Sequence, residues 1–323
     1  MAETTRVAVI GAGAHACRAH YPSLARLDDA EVVAAADLSE ERLKAVREQY
    51  GIPAGYSDYR AMLRETEPDA VYVILPHLAT YPVVLDCLKM GLNVFLEKPP
   101  GVTLEQTRFL ARCAESHGCI TMVGFQRRYS PQVLRAAREA RAHGGIDLLV
   151  CRFFKNATVV PLYEYHESKG VDILTCDTIH AVDLLRGLGG EVEAISSEVR
   201  SVHIPCPSLF VALIRFKSGT TGVLEANWVS GRRQLVCEMH ARGFVAHVDV
   251  ENETRVYTEN SDDPERRSAG DDARGEERFV KAGFLAESQR FIECIRTGDL
   301  PVTHLGDSVK TMELVDRIYH SGF

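Results

Sequence analysis

The chain has 323 residues, 46% of them hydrophobic and 25% charged, which is enough apolar material for two packed domains and excludes disorder along most of its length. Its formal net charge of -8 argues against a nucleic-acid partner, because neutralising phosphates needs a basic face. The nine cysteines are odd in number, scattered and without a C-x-x-C pair, which points to free thiols in a reducing compartment.

Met1 to Arg6 is short and polar and runs directly into a strand, with no separate apolar block. No apolar run reaches the roughly 18 residues of a membrane span, so a cytoplasmic protein without a membrane partner is expected. Cys113, His117 and Cys119 are the nearest approach to a metal cluster, but no second cluster completes four ligands and no metal is expected.

The first 125 residues alternate strand-like and helix-like patterns. Arg6–Ile10 is a short apolar strand that ends in Gly11-Ala12-Gly13, and a helix follows through Arg26. Glu31–Ala36 is a second buried strand, and Ser39 caps a charged amphipathic helix through Tyr50. Strands at Ala70–Leu75, Asn93–Leu96 and Ile120–Gly124 are separated by helices at about Ala79–Met90 and Leu104–His117. This is a doubly wound Rossmann pattern.

Beyond Phe125 the texture changes. A helix from Pro131 to about His143 precedes a strand at Asp147–Phe154, and Val171–Leu188 reads as a long helix. Strands at Glu193–Ile204, Phe210–Phe216, Thr221–Val229, Gln234–Ala241 and Phe244–Val250 follow, with hairpin turns at Lys217–Thr220 and Arg242-Gly243. Asn260–Glu277 reads as an exposed, mobile charged loop, and two helices, about Phe284–Arg296 and Asp307–His320, close the chain. The expected fold class is an α/β Rossmann domain (1–125) followed by an α+β domain (126–323) with a large, open, mostly antiparallel sheet.

Two motifs carry chemistry. Gly11-Ala12-Gly13-Ala14-His15-Ala16 joins a strand to a helix, where glycines let the backbone approach a pyrophosphate and the helix end supplies N–H donors. Asp37 ends the second strand, where an acidic side chain accepts hydrogen bonds from an adenosine ribose. Glu97-Lys98-Pro99 stands at the carboxyl end of a parallel strand, the edge where such sheets bind ligands. A lysine there donates to or deprotonates a substrate hydroxyl, provided burial or a nearby cation brings it down from its free value of ~10.4.

The Gly-x-Gly opening, Asp37, Glu97-Lys98-Pro99, the run Gly124-Phe125-Gln126-Arg127-Arg128-Tyr129 and the segment from Phe284-Leu285-Ala286-Glu287 to Pro301 together resemble the glucose–fructose oxidoreductase/inositol dehydrogenase (Gfo/Idh/MocA) family along nearly the whole chain. The resemblance implies a bound nicotinamide nucleotide and hydride transfer to or from a sugar, cyclitol or related polyol. It implies that Lys98 is catalytic, that Leu75, Pro76, His77 and Gln126 lie by the cofactor, and that Arg127 faces the substrate. It also implies acid–base work for His180 in Asp177-Thr178-Ile179-His180-Ala181-Val182-Asp183. Many members carry an aspartate four residues before that histidine, whereas here Cys176 is four before and Asp177 three before; both spacings lie on one helical face, so Asp177 is expected to orient the imidazole, with Asp172 a weaker candidate. A histidine common in the loop after Pro76 is replaced by Thr80-Tyr81.

Tyr163, Tyr165 and His166 offer aromatic faces and polar tips suited to sugar hydroxyls, or equally to packing on their own domain. Trp228 reads as a packing residue or a subunit contact. NAD is expected in preference to NADP, since Asp37 repels a 2′-phosphate and Leu38-Ser39 offers no arginine. Apolar residues on both alternations of the later strands, such as Val211 with Ala212 and Leu235 with Val236, point to a homodimer or homotetramer. Two rival readings stand beside the dehydrogenase: an NAD-dependent glycosidase of the same fold, and a nucleotide-sensing regulator without catalysis.

Overall fold

The computed structural model describes residues 4–158 and 171–322. The chain divides into two compact units, one of residues 1–124, 278–280 and 284–309 and the other of 125–277, 281–283 and 310–323.

In the first unit six strands form one sheet: β1 (Thr5–Ile10), β2 (Ala30–Ala36), β3 (Ala54–Tyr56), β4 (Ala70–Val73), β5 (Asn93–Leu96) and β6 (Thr121–Val123). Their spatial order is β3-β2-β1-β4-β5-β6 and every pairing is parallel. Helices cover such a sheet on both faces, which is why β1 and β4 are near-continuous apolar runs with almost every residue buried. The order reverses beside β1, so the crevice at the carboxyl ends of β1 and β4 is the topological switch point. Sequence patterning missed β3, only three residues long, and the helix Tyr59–Thr66 capped by Asp58. The helix Phe284–Thr297, distant in sequence, belongs to this unit.

The second unit holds an eight-stranded sheet of β7 (Leu148–Asn156), β8 (Val192–Arg200), β9 (Leu209–Phe216), β10 (Thr221–Asn227), β11 (Val229–Ala241), β12 (Phe244–Asp249), β13 (Glu253–Thr258) and β14 (Glu265–Ser268). Its order is β14-β13-β12-β11-β7-β10-β9-β8, antiparallel except for β7 beside β10. The helix Ile179–Gly189 packs on one face of β7 and β10. On the other face β9, β10 and β12 alternate buried with half-buried or exposed residues, so Ala212 is buried while Val211 and Leu213 are not.

The stretch expected as a loop at 260–277 instead contains β14 and the short helix Ala269–Ala273. A capping box in which Ser268 and Asp271 exchange side-chain and backbone hydrogen bonds organises that helix, and Arg267 reaches the Glu139 carboxylate with two donors. Charge here marks ion pairing within the unit. No helix among the described residues is long and apolar enough to cross a membrane.

One buried ion pair ties the second unit together. The Arg128 guanidinium donates to both oxygens of Asp183, at 2.7 and 2.5 Å, and Thr311 donates to the same carboxylate at 2.8 Å. Gly187 leaves the room: a Cβ there would stand 2.7 Å from Arg128 Nε. Removing one partner of such a pair strands the other charge in a low-dielectric interior. Arg128→Met is therefore expected to destabilise the protein by about 3–5 kcal/mol in urea unfolding, and a loss under about 1 kcal/mol would show the pair to be dispensable.

Candidate active site

The loop after β1 is shaped for a phosphate-bearing ligand. Gly11 has φ +114°, and a Cβ there would lie 2.2 Å from the Ile74 carbonyl oxygen, so only glycine lets the chain turn this close to β4. Beside Gly13, by contrast, an added Cβ meets nothing within 4 Å. That open side lies at the start of the helical stretch 14–24, the end of a helix whose first N–H groups have no partner within it. Ala14 and His15 are exposed there and Ala16 is buried.

Asp37 follows the end of β2 and is held by three donors. Its Oδ2 accepts the Ala12 N–H at 2.7 Å, and its Oδ1 accepts the Ser39 N–H and the Arg42 guanidinium, each at 2.7 Å. Burial pushes the carboxyl up, but Arg42 and the two amides together outweigh it and hold Asp37 below the ordinary carboxylate range. Leu38, next to it, is 92% exposed. A glycine cradle open on one side, an ionised carboxylate at the strand end and an exposed apolar residue beyond it fit the pyrophosphate, ribose and adenine of a nicotinamide dinucleotide. Arg42 escaped the sequence reading, which looked for an arginine only beside Asp37. Ser39 caps the helix Glu40–Tyr50 by accepting the Arg42 N–H, and that register turns residue 42 back over the strand end. Leu75 is half-buried in the loop after β4, Pro76 precedes the helix His77–Lys89, and His77, half-buried, begins it.

Glu97, immediately after β5, is the chemical centre of this unit. Its side chain is 8% exposed, and one oxygen, Oε1, takes both imidazoles: His15 Nε2 at 2.7 Å and His20 Nε2 at 2.8 Å. The other oxygen, Oε2, accepts the backbone N–H of Lys98 at 3.1 Å. Gly124 abuts the carboxylate, and a Cβ there would come within 3.1 Å of it. Burial pushes the Glu97 carboxyl up, yet the charge and hydrogen bond of His15 and the hydrogen bond of His20 carry it well below its usual range. Burial depresses His20, which is wholly enclosed among Phe95, Tyr72 and Phe284.

The reason His15 and His20 meet is a π-helical turn over Ala16–His20. Residues five apart in an α-helix lie about 140° apart around the axis, whereas the i→i+5 bonding of a π turn brings them near one face. A helix was expected here, but a π turn within it, which brings His20 to Glu97, leaves no mark in the spacing of the sequence. His15, His20 and Glu97 also form a set of N and O atoms within 4.8 Å of one another that resembles a metal-ligand trio. At 2.7 and 2.8 Å the nitrogens are hydrogen-bonded to the oxygen itself. In the cluster read from sequence, the Cys119 thiol donates to the Leu88 carbonyl and Cys113 lies 3.7 Å from His117 Nδ1.

Lys98 is half-buried, and the Lys98–Pro99 peptide is cis. In the second unit Gln126 and Arg127 are both buried, and Arg127 donates to the Glu251 carboxylate at 2.9 Å. Another π turn, Leu174–Thr178, leads into the helix Ile179–Gly189, so Asp177 and His180 straddle the junction. Asp177 accepts a hydrogen bond from Lys155, whose ammonium lies 4.4 Å from the Trp228 ring centroid and 5.1 Å from that of Phe153. Trp228 is fully buried and donates its indole N–H to Thr178 at 2.9 Å. Lys155 was also missed; it shares the alternation of Cys151 and Phe153 on β7, and a lysine on an inward strand face calls for a partner. Asp172 accepts the Thr175 N–H at 2.9 Å and the Tyr319 hydroxyl, which places it at the start of the helical segment. Tyr163, Tyr165 and His166 lie outside the described residues.

A Rossmann cradle followed by a helix-backed, mostly antiparallel sheet defines a dinucleotide-binding oxidoreductase of two units. Residues 5–125 match the oxidoreductase family with an NAD-binding Rossmann fold, and residues 132–259 match the GFO/IDH/MocA C-terminal domain. The chain belongs to the Gfo/Idh/MocA oxidoreductases. It is 27% identical over 307 residues to the myo-inositol 2-dehydrogenase of Thermotoga maritima, covering 92% of this chain and 90% of that enzyme. It is 24% identical over 309 residues to the D-xylose 1-dehydrogenase (NADP(+)) 2 of Haloferax volcanii, covering 90% and 89%. Levoglucosan dehydrogenase in complex with NADH and levoglucosan shares the fold with a TM-score of 0.85 at 18% identity, over 99% of this chain and 97% of that one.

Glu97 and His20, both depressed, contribute to the pH response of stability. The unfolded chain binds protons on Glu97 and His20 more readily than the folded one does, so the stabilisation is present above their unfolded values and is lost as pH falls. For His20 the loss begins below about 6.5 and for Glu97 below about 4.5. Thermal unfolding should drop on going from about pH 7 to about pH 5, with His20 contributing up to ~1.4 kcal/mol per pH unit. A His20→Leu variant with the same slope as wild type over that range would contradict the assignment.

Proposed function

We propose that the protein reversibly oxidises a secondary hydroxyl of a sugar, cyclitol or related polyol, with NAD as its cofactor. The observation that carries this reading is Lys98 at the carboxyl end of the parallel sheet that also holds the glycine cradle, with its backbone N–H anchored on Glu97. The named sugar and cyclitol dehydrogenases similar to this chain support the substrate class. When bound, the oxidised nicotinamide accepts hydride from the carbinol carbon. Gly11 to Ala16 and Asp37 would hold the pyrophosphate and adenosine, with Leu75, Pro76, His77, Glu97, Lys98 and Gln126 along the rest of the nucleotide.

The chain's own residues move the proton. Lys98 Nζ takes the hydroxyl proton during oxidation and returns it during reduction, and His180 serves as the second acid–base group. Asp177, itself held by Lys155, orients the imidazole. Arg127, Tyr163, Tyr165 and His166 are the proposed polyol contacts. Lys98→Met keeps a similar length while removing the ammonium, so turnover should fall about 10²–10⁴-fold with NADH affinity changed little. Near wild-type turnover in that variant would overturn the mechanism.

NAD preference rests on Asp37, whose charge opposes a 2′-phosphate, but the Arg42 contact narrows the margin. Titrations should show NADH bound more tightly than NADPH, and Arg42→Ala should widen that difference. Tighter binding of NADPH by the wild type would reverse the assignment.

The nine free thiols favour a reducing, cytoplasmic setting. The half-exposed Leu213 and half-buried Val211 and Val223 on the outer sheet face favour burial of that face in a homodimer or homotetramer. Light scattering at micromolar concentration should give a multiple of 35.8 kDa, and a monomer alone would refute the assembly.

A further inference from the structure

We propose that His20, together with His15, is a positioning residue for Lys98, acting through the Glu97 carboxylate. The inference rests on the reading that Lys98 handles the substrate proton.

The geometry leaves the carboxylate little freedom. A carboxylate oxygen has two lone pairs, and Oε1 spends both on imidazole nitrogens at 2.7 and 2.8 Å. To donate from Nε2 the neutral His20 ring must carry its proton there, and the buried Nδ1 has no hydrogen-bond partner among the described residues, in keeping with that tautomer. With Oε1 taken from two directions, the carboxylate plane is fixed, and Oε2 is presented to the Lys98 N–H at 3.1 Å. This bond fixes the main chain of the residue whose side chain does the chemistry.

The surroundings hold the clamp in place. His20 is fully buried, with its ring 5.1 Å from Phe95 and 5.6 Å from Phe284, edge to face. His15 packs against Phe284 at the same 5.6 Å separation, with its side chain 46% exposed. Gly124 leaves room beside the carboxylate, where a Cβ would stand 3.1 Å from Oε1. Because His15 belongs to the glycine loop and His20 to the π turn behind it, the same contacts join the cofactor cradle to the catalytic strand end.

The test compares His20→Leu, which fills the space without a donor, with His20→Gln, whose amide nitrogen reaches about as far as Nε2. The first readout needs no substrate: hydrogen exchange of the Lys98 amide in the intact protein, in a peptide where Pro99 and Pro100 contribute no amide signal. His20→Leu should speed that exchange about tenfold or more, while amides of β4 keep their protection and His20→Gln stays near wild type. The second is steady-state turnover on the fastest substrate found among myo-inositol, D-xylose and levoglucosan. There kcat should fall on the order of 10- to 100-fold in His20→Leu with NADH affinity within about threefold, and His20→Gln should restore it.

Should His20→Leu fail to fold, His15→Leu on the exposed side of the clamp takes its place, with a smaller acceleration expected. Unchanged Lys98 exchange in both leucine variants would overturn the inference. So would equal acceleration in His20→Gln, since that would assign the effect to packing. Full turnover in Lys98→Met would instead sink the role of Lys98 and leave the exchange result standing, so the two failures are distinguishable.

Discussion

A carboxylate taken out of water at the end of a parallel strand must be compensated or neutralised, and in this protein Glu97 is compensated. The neighbouring sequence follows from that requirement. Two imidazoles and one backbone amide supply the donors, a π turn brings histidines five residues apart to the same oxygen, and a glycine at position 124 leaves the space. An aromatic enclosure of Tyr72, Phe95 and Phe284 excludes water from His20 and strengthens the bonds inside it. The residue next to this anchored carboxylate is Lys98. Under the proposed mechanism Lys98 would need its position set before substrate arrives, and the hydrogen bond from its backbone N–H to Glu97 meets that need.

The second unit solves comparable problems with cations. Asp183, deeply buried, is met by the two-pronged Arg128, and Asp177 is met by Lys155 lying against Trp228. In both cases an aromatic ring or a glycine shapes the space for the cation, Trp228 for Lys155 and Gly187 for Arg128. Of the two carboxylates, Asp183 is enclosed while Asp177 remains partly open.

Much of this was legible before the structure. The alternating Rossmann pattern, the glycine loop and the change to a mostly antiparallel sheet follow from hydrophobic period and turn chemistry, which are local signals. The weight on Asp37 and Glu97-Lys98-Pro99 comes from their place at strand ends and from the family resemblance. What escaped was non-local or depended on an irregular backbone. Strand β3 is too short for period-2 patterning to register, and β14 with its capped helix was hidden by a charged composition whose charges are paired across the unit. His20 required knowledge of the π turn, and Arg42 required following the Ser39 cap one turn further. Lys155 was visible as a lysine on an inward alternation, but its partner Asp177 lies 22 residues away in sequence.

Hydride transfer is read most directly from the fate of the carbinol hydrogen. The enzyme would be mixed in a single turnover with NAD+ and a polyol carrying deuterium at its secondary carbons, and the nucleotide isolated and weighed by mass spectrometry. One deuterium per reduced nicotinamide is expected, formed in proportion to enzyme, with none appearing in solvent. Turnover that leaves no net reduced nucleotide while a glycosidic bond is broken would assign the chemistry to oxidation-assisted elimination. Tight NAD binding without any label transfer across a broad polyol panel would contradict a dehydrogenase altogether.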